Sequence, residues 1–321
     1  MEHKLIVSSS PHIFKKESVS DIMLDVIIGL LPATFMGVYC FGPRAALVIL
    51  TAVCASVLSE YIYQKLMKKP VTVRDFSAVV TGLLIALNMP PAIPLWMVVV
   101  GSAFAIIIVK QLYGGIGKNF LNPALAARCF MLVAWAGAMT TFSEPLHTPD
   151  VISQATPLAI LEGTSEGSLT PMFKLMWGVI PGSIGETSAI MLLIGGIYLL
   201  CKRVITLRIP ASYILTFALL TYFFGNNTNM LSPAEFTLMH ILSGGLLLGA
   251  FFMATDYTTT PTTKKGQLIF GIGCGLLTFL IRNFGGYPEG VSFSILLMNV
   301  LTPLIDRWTV PKKFGEVRKN A

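Results

Sequence analysis

The chain has 321 residues, of which 54% are hydrophobic and only 12% are charged, and its mean hydropathy is +0.73. Soluble domains carry about 25% charged residues, so this composition excludes an ordinary soluble fold. Apolar runs of about 20 residues recur and predict an all-α polytopic membrane protein. Positive loops on one side of a membrane explain the net charge of +7 better than nucleic-acid binding, which we do not expect.

In chain order, the apolar pattern predicts about ten transmembrane helices. The third and seventh have about 14 apolar residues, or about 21 Å of helix, and fall short of a ~30 Å hydrocarbon core. Short spans usually face a protein cavity rather than lipid. The predicted segments are 21–41, 44–64, 76–89, 93–113, 122–140, 186–201, 211–224, 234–254, 267–283 and 290–306.

Lys and Arg residues predict how the chain is oriented in its membrane. With a cytoplasmic N-terminus, nineteen of them lie in inside regions and three in outside regions. Both termini are therefore predicted to be cytoplasmic, and the loop 141–185 to be outside. The inside residues are Lys4, Lys15, Lys16, Lys65, Lys68, Lys69, Arg74, Lys110, Lys118, Lys202, Arg203, Arg208, Lys264, Lys265, Arg307, Lys312, Lys313, Arg318 and Lys319, and the outside ones are Arg44, Lys174 and Arg282.

The two halves of the sequence resemble each other. "FSAVVTGLLIALNMPPAIP" in the third span parallels "MHILSGGLLLGAFFMATDYTTTP" in the eighth. Lys110 with "YGGIGKNFLNPALAARCFMLV" likewise parallels Arg282 with "FGGYPEGVSFSILLMNVLTP". An odd number of five spans per half gives the halves opposite orientations, so we expect two inverted five-helix repeats. The predicted divisions are a cytoplasmic segment 1–20, a first repeat 21–140, an outer loop 141–185, a second repeat 186–306 and a basic tail 307–321.

Several polar residues lie inside or beside the predicted spans. Asn122 is expected to cap the fifth span, with Pro123 at the first helical position. Arg128 lies six residues further on, about 9 Å deeper. It either extends back to the cytoplasmic interface or meets a counter-charge or an anionic cofactor. Asn88 ends the short third span and suits a cavity lining, whereas Asp256 is expected to hydrogen-bond within a Thr-rich turn.

Other features argue against several cofactor classes. The five cysteines form no CxxC pair, so a self-contained iron–sulfur cluster is not expected. The four histidines show no metal-ligand spacing. "GGIGKN" at 114–119 lacks the GxxxxGK[ST] pattern of a nucleotide-binding loop.

The sixth span is preceded by "GSIGETSAI" at 182–190. Gly185 favours a tight turn, and Glu186 and Thr187 place acceptors and hydroxyls at a helix N-terminus. Capping alone explains these residues. Alternatively, this helix N-terminus helps to hold a phosphate beside the outer loop.

Within the outer loop, "PDVISQATPLAI" at 149–160 is the stretch of ordered appearance. Asp150, Ser153 and Thr156 recur every three residues, and the sequence turns apolar after Pro157. Composition predicts a capped turn that leads into an amphipathic segment.

Residues 150–158, "DVISQATPL", resemble the D-x-x-S-G-A-T-P-L motif of the RnfD/NqrB family, with Gln154 in place of the motif glycine. That family contributes subunits to the Rnf complex and to the sodium-pumping NADH:quinone reductase. The short chain is more similar to RnfD. Further blocks that look like the family are "SSSPH" at 8–12, "TGLLIALNMPPAIPLW" at 81–96, "YGGIGKNFLNPALAAR" at 113–128, "GETSA" at 185–189, "RIP" at 208–210, "FMATDYTTTPTTKKG" at 252–266 and "IRNFGGYPEGVSFSILLMNVLTPLID" at 281–306.

The resemblance implies a fold similar to urea and ammonium channels and two flavins. FMN would be attached to Thr156 by a phosphoester bond, which requires a flavin transferase. Backbone amides near Ser153 and Ala155, or the helix N-terminus at Gly185, Glu186 and Thr187, would stabilise its phosphate. Riboflavin would bind without a covalent link inside the bundle. Asn88, Asn122 and Arg128 are the candidate residues for that second site.

The function implied is that of the D component of an Rnf-type complex. Electrons would pass between reduced ferredoxin and NAD, coupled to Na+ or H+ transport, and the other Rnf components (A, B, C, E and G) would be partners. Two alternatives stay open. One is an NqrB-like component of a quinone reductase, and the other is a flavin-free permease or channel for a small solute.

Overall fold

The computed structural model describes residues 18–146, 155–163, 165, 167–227, 231–285 and 289–311, and every regular element in these ranges is helical. The α-helices are α1 Val19–Leu66, α2 Ser77–Leu87, α3 Leu95–Ala103, α4 Pro123–Ala134, α5 Ala136–Thr140, α6 Pro157–Leu161, α7 Met172–Trp177, α8 Ala189–Cys201, α9 Arg208–Phe224, α10 Pro233–Leu242, α11 Leu246–Leu248, α12 Lys264–Phe284 and α13 Val291–Thr309. Two π-helical stretches, Phe104–Gln111 and Gly249–Met253, continue α3 and α11. A 3-10 turn at Val73–Asp75 precedes α2.

The first two predicted spans form the single element α1, which is kinked at Gly42. Gly42 has φ 69° and ψ −158°, a conformation open to glycine because it has no Cβ. Pro43 follows and has no N–H with which to continue the helical hydrogen bonds. Consequently α1 consists of two helices joined where the sequence predicted a boundary.

By length and composition, α1 and α12 are the described helices that can each cross a membrane. A third span results if α10 and Leu246–Met253, which are bent by 65° at a break, are taken together. Five further apolar helices have 10–17 residues. The third predicted span is short, as expected, with 11 residues in α2. The seventh predicted span is also short, as expected: α9 has 17 residues and belongs to the shorter apolar helices, although it begins at Arg208 and accommodates Pro210 in its first turn.

The helices expose apolar side chains and bury charged ones. Phe35 is 73% exposed and Phe284 is 76% exposed, whereas Glu60 is fully buried and Arg128 is 6% exposed. A soluble protein rarely shows apolar side chains over so much of its surface. In lipid this arrangement is favourable, because polar groups must be satisfied within the protein. The fold therefore agrees with a membrane protein.

Candidate functional site

Arg128 on α4 is the centre of a buried polar cluster. Its Nη1 donates to Asn88 Oδ1 at 2.7 Å. Its Nη2 forms an ion pair with Glu186 Oε1 at 3.1 Å and another with the carboxylate of Glu289. These four residues are called the Arg128 cluster below. Of the two alternatives for Arg128, the structure supports the counter-charge within the bundle. Glu289, which completes the cluster, lies just before α13 and was missed because it reads as a loop residue.

Asn122 links the two halves of the chain. Its Oδ1 accepts from the backbone amide of Ala124 at 3.0 Å, which confirms the predicted cap of α4. Its Nδ2 donates to the carbonyl of Met253 at 3.1 Å, 131 residues away. Asn88 is similarly fixed, because its Nδ2 donates to the carbonyl of Leu84 at 2.6 Å. Both amides are therefore held in single orientations in the interior.

Gly185, Glu186 and Thr187 lie in a buried turn that precedes α8. Gly185 donates its N–H to the carbonyl of Leu87 at 2.8 Å, and a Cβ at Gly185 would lie 2.5 Å from the Cβ of Leu87. Ser188, whose Oγ accepts from the amide of Met191 at 3.4 Å, is the residue that caps α8. The sixth span therefore begins at 189 rather than at 186, and Glu186 is free to reach Arg128.

Thr156 is the N-cap of the short helix α6. Its Oγ1 accepts from the backbone amide of Ala159 at 3.2 Å, and Pro157 occupies the first helical position. Thr156 and Ala155 are half-buried, whereas Leu158 and Leu161 on one side of α6 are buried. This confirms the predicted capped turn with an amphipathic continuation. Ser153 and Gln154 lie outside the described residues.

The helix α6 packs against a break between α10 and α11. Gly244 in this break has φ +70°, and a Cβ there would lie 3.0 Å from Arg282 Nη2 and 3.1 Å from Leu158 Cδ2. A Cβ at Gly245 would lie 2.7 Å from Glu186 Oε1. Two adjacent glycines thus let α6 and Arg282 approach the break on one side and the Arg128 cluster on the other.

The charge pattern assigns Arg282 to an outside region and Lys110 to an inside region, whereas the structure places both side chains in the protein interior. Arg282 is 5% exposed and donates to the carbonyls of His240 at 2.7 Å and Ser243 at 3.4 Å. Lys110 is 3% exposed and donates to Glu60 Oε2 at 2.9 Å. Both residues lie inside predicted spans, and this position in the sequence already indicates a buried cation. Without them the census falls to eighteen inside and two outside, so the predicted orientation is unchanged.

A large cavity of about 400 Å³ lies between the start of α1, α2, α4 and the π-helical stretch Gly249–Met253. Its lining is mostly apolar, with polar groups from Asn119, Asn122 and Asp256 among others. Thr258 Oγ1 donates to Asp256 Oδ2 at 3.0 Å, which confirms the predicted Thr-rich turn. The volume falls within the range of about 300–1,000 Å³ typical of cofactor pockets, and an apolar lining with a few amides suits a flat aromatic ring system.

Known proteins are similar to the chain over nearly its whole length. Residues 6–315 match the model of the NQR2, RnfD, RnfE family. The chain is 50% identical to the D component of the Na+-translocating ferredoxin:NAD+ oxidoreductase complex of Acetobacterium woodii, which covers 100% of this chain and 99% of that protein. It is 48% identical to the D component of the proton-translocating ferredoxin:NAD+ oxidoreductase complex of Clostridium ljungdahlii, over 97% of this chain and 96% of that protein. A third relative is the D component of the ion-translocating oxidoreductase complex of Stutzerimonas stutzeri, with 40% identity over 94% of this chain and 93% of that protein. The chain belongs to the NQR2, RnfD, RnfE family.

Proposed function

We propose that the chain is the D component of an Rnf-type complex, an ion-translocating ferredoxin:NAD+ oxidoreductase of the bacterial inner membrane. Two relatives that match it end to end are named as the D components of such complexes. The observation that carries the proposal is the position of Thr156, which begins a helix packed on the break between two buried arginines. The chain contributes one flavin step to electron transfer between ferredoxin and NAD+. It does not catalyse the whole reaction alone.

In this proposal FMN is attached to Oγ1 of Thr156 by a phosphoester bond. Bound there, the flavin supplies electron transfer. The chain supplies the anchor, since Pro157 and Leu158 fix the start of α6 against the bundle. A covalent link keeps the redox group at one site at a high local concentration. Backbone amides near Ser153 and Ala155 would hold the phosphodiester.

The turn formed by Gly185, Glu186 and Thr187 supports the flavin site from the protein interior. Because Gly185 lies directly against Leu87, the turn is held close to the end of α2. The turn thereby directs Glu186 towards Arg128 and Gly245. In this proposal these residues maintain the break on which α6 rests, and their effect on the flavin is indirect.

The second flavin, riboflavin, occupies the large cavity in this proposal. Of the three candidate residues, Asn122 lines the cavity, and its Nδ2 is held by the carbonyl of Met253. Asn88 and Arg128 lie deeper, in the Arg128 cluster, and act on the cavity through the fixed position of α4. Asn119 and Asp256 are further polar groups that can orient a polar ring edge.

For the architecture, we propose ten spans in two inverted repeats, similar to urea and ammonium channels. The two corrected cations support this, since they occupy matching places in the halves. Lys110 donates to Ser77 Oγ at 2.6 Å at the start of the third span. Arg282 donates to the carbonyls of His240 and Ser243 in the eighth span. The same domain division as in the sequence prediction follows, with both termini cytoplasmic and the flavin loop 141–185 outside.

The partners in this proposal are the lipid bilayer, the other Rnf components (A, B, C, E and G) and a flavin transferase for maturation. The relatives at 50% and 48% identity are named for Na+ and protons respectively. We therefore assign the coupled ion only as Na+ or H+. Ion-dependent activity of the assembled complex, measured with and without Na+, distinguishes them.

The flavin assignment is tested by denaturing gel electrophoresis and ultraviolet illumination. Expressed with the flavin transferase, the wild-type chain is expected to give a fluorescent band, and Thr156→Ala none. Thr170→Ala is the matched control, because Thr170 also precedes a proline in the outer loop. A wild-type chain without fluorescence would contradict the proposal and favour the permease. An NqrB-like role is distinguished by assaying the complex with ferredoxin and with quinone.

A further inference from the structure

A second, smaller cavity lies beneath α6 and has a polar lining without partners. Its volume is about 40 Å³, and Glu162, Thr221, His240 and Arg282 contribute to its wall. Oε1 of Glu162, Oγ1 of Thr221 and both ring nitrogens of His240 are buried and have no hydrogen-bond partner among the described residues. Leaving a buried polar atom unpaired is costly. Four such atoms around one cavity, called the Glu162 cavity below, therefore indicate a missing ligand.

Water is the ligand that fits these groups. The lining offers acceptors on Glu162 and donor and acceptor positions on His240 and Thr221, and water can satisfy both kinds. A water molecule needs about 10–15 Å³ of such space, so the cavity has room for a few. A metal cation is disfavoured by the guanidinium of Arg282, and an anion by the carboxyl of Glu162.

The Glu162 cavity extends from the interior to the protein surface. Arg282 and His240 at its inner end are 5% exposed each. Asn226 and Asn283 also line it, and Asn226 is exposed. The backbone N–H of Asn226 donates to Asn283 Oδ1 at 3.3 Å, so polar groups mark the mouth. The predicted orientation places this mouth on the outer face, because the end of α9 and the outer loop meet there.

Titratable and charged groups reach the Glu162 cavity from each element around it. Burial raises the pKa of Glu162 to about 7, although the charge of Arg282 opposes the shift. His240 faces it from α10 and Arg282 from α12. Tyr213 on α9 and Glu186 act electrostatically on Arg282, but the hydroxyl of Tyr213 is already bonded to Thr278 Oγ1 at 2.6 Å. Glu162 is therefore the group available to exchange a proton, and His240 is a neutral hydrogen-bonding partner beside it.

We propose that Glu162 and His240, bridged by water, form a proton-binding site that opens to the outer face. The site holds one exchangeable proton, which passes between the outer aqueous phase and the carboxyl of Glu162 through water at Asn226 and Asn283. We further infer that this proton site is coupled to the flavin on Thr156, a step that rests on the proposed function. Thr156 and Glu162 lie at opposite ends of α6, about 9 Å apart along the helix axis. Negative charge on the flavin favours the protonated site, so electron arrival and proton uptake are linked.

The proton site is tested by pH-difference infrared spectroscopy of the purified complex. A protonated-carboxyl signal is expected to titrate near pH 7 and to be lost in Glu162→Gln. Glu235→Gln is the matched control, since Glu235 is exposed at the start of α10 and glutamine preserves its capping box. Persistence of the signal in Glu162→Gln would overturn the proposal. If that variant does not assemble, His240→Gln serves, with an expected shift of the midpoint by about half a pH unit or more. An unshifted midpoint would equally overturn it.

The link to the flavin has a separate readout. The midpoint potential of the fluorescent flavin is expected to change its pH dependence near pH 7 in the wild-type complex, and this change is lost in Glu162→Gln. An unaltered profile would refute the link. The infrared titration is repeated in Thr156→Ala, which carries no covalent flavin in the proposed function, and the carboxyl signal is expected to remain. A titrating carboxyl together with a wild-type chain that shows no flavin fluorescence would refute the flavin assignment of the proposed function while supporting the proton site.

Discussion

Each side of the break at Gly244 and Gly245 holds a buried arginine, but the two arginines have different partners. On the Gly245 side, Arg128 is neutralised by the carboxylates of Glu186 and Glu289. On the Gly244 side, Arg282 is bonded to backbone carbonyls, and the ring of Phe217 lies 5.0 Å from its guanidinium carbon. A buried arginine can thus be stabilised by counter-charges or by oriented carbonyl dipoles.

The difference determines what each side can do. In the Arg128 cluster the charges compensate one another, so the cluster suits a rigid contact between the two halves. Arg282 donates to two carbonyls, and Glu162 and His240 nearby keep unpaired polar atoms around the Glu162 cavity. In the Arg128 cluster, Oε1 of Glu186 also lacks a hydrogen bond, but it lies 3.1 Å from the guanidinium of Arg128. The Arg128 cluster therefore stabilises the contact between the two halves of the chain. The Glu162 cavity can gain or lose a proton without the loss of an existing hydrogen bond.

The largest loss of stability is expected when the charge of Arg128 is removed. Arg128→Met leaves the buried Glu186 and the partly exposed Glu289 without their cation, which costs about 3–5 kcal/mol. The purified complex should show a much lower unfolding temperature, or the chain should be degraded. Arg128→Lys keeps the charge but loses the planar fork, so an intermediate loss is expected. Wild-type stability of Arg128→Met would show that the cluster is not a structural contact.

A second pair of variants separates the two sides of the break. Gly244→Ala forces an alanine into a left-handed conformation and places its Cβ against Leu158 and Arg282, at a cost of about 1–2 kcal/mol for the backbone alone. Because Leu158 belongs to α6, flavin fluorescence per chain should also fall. Gly245→Ala presses on Glu186 and should lower stability, with smaller effects on fluorescence. Equal fluorescence losses in both variants would remove the distinction.

The sequence predicted those features that depend on local chemistry. Residues near Asn122 and Thr156 carry their capping signals with them, and both caps were found. The partners of the buried charges could not be predicted in this way. Glu289 lies 161 residues from Arg128, and Glu60 lies 50 residues from Lys110, so tertiary packing alone brings them together. Apolar periodicity likewise located the eighth span but not its break, since the glycines act through neighbours on other elements.

A smaller effect distinguishes the titratable side by its pH dependence. The pKa of Glu162 is about 7 in the folded chain and 4.5 ordinarily. Between these values the folded state holds a proton that the unfolded chain has released, so stability is full below this window and falls as the pH rises through it. The expected loss is about 1–2 kcal/mol after allowance for partial exposure. Glu162→Gln should flatten unfolding temperature against pH in this window. A matching slope in wild type and variant would exclude Glu162 as its source.

The smallest loss of stability is expected at Lys202, a cation that is exposed. Lys202 Nζ lies 3.6 Å from Asp25 Oδ1, and its side chain is 54% exposed. Such an exposed pair contributes less than about 1 kcal/mol, because solvent screens it. Asp25 also keeps its hydrogen bond from the hydroxyl of Tyr198 at 2.7 Å. Lys202→Ala should therefore leave unfolding temperature and flavin content almost unchanged. If Lys202→Ala lowered the unfolding temperature as much as Arg128→Met, the stabilising effect of Arg128 could not be attributed to its burial between two carboxylates.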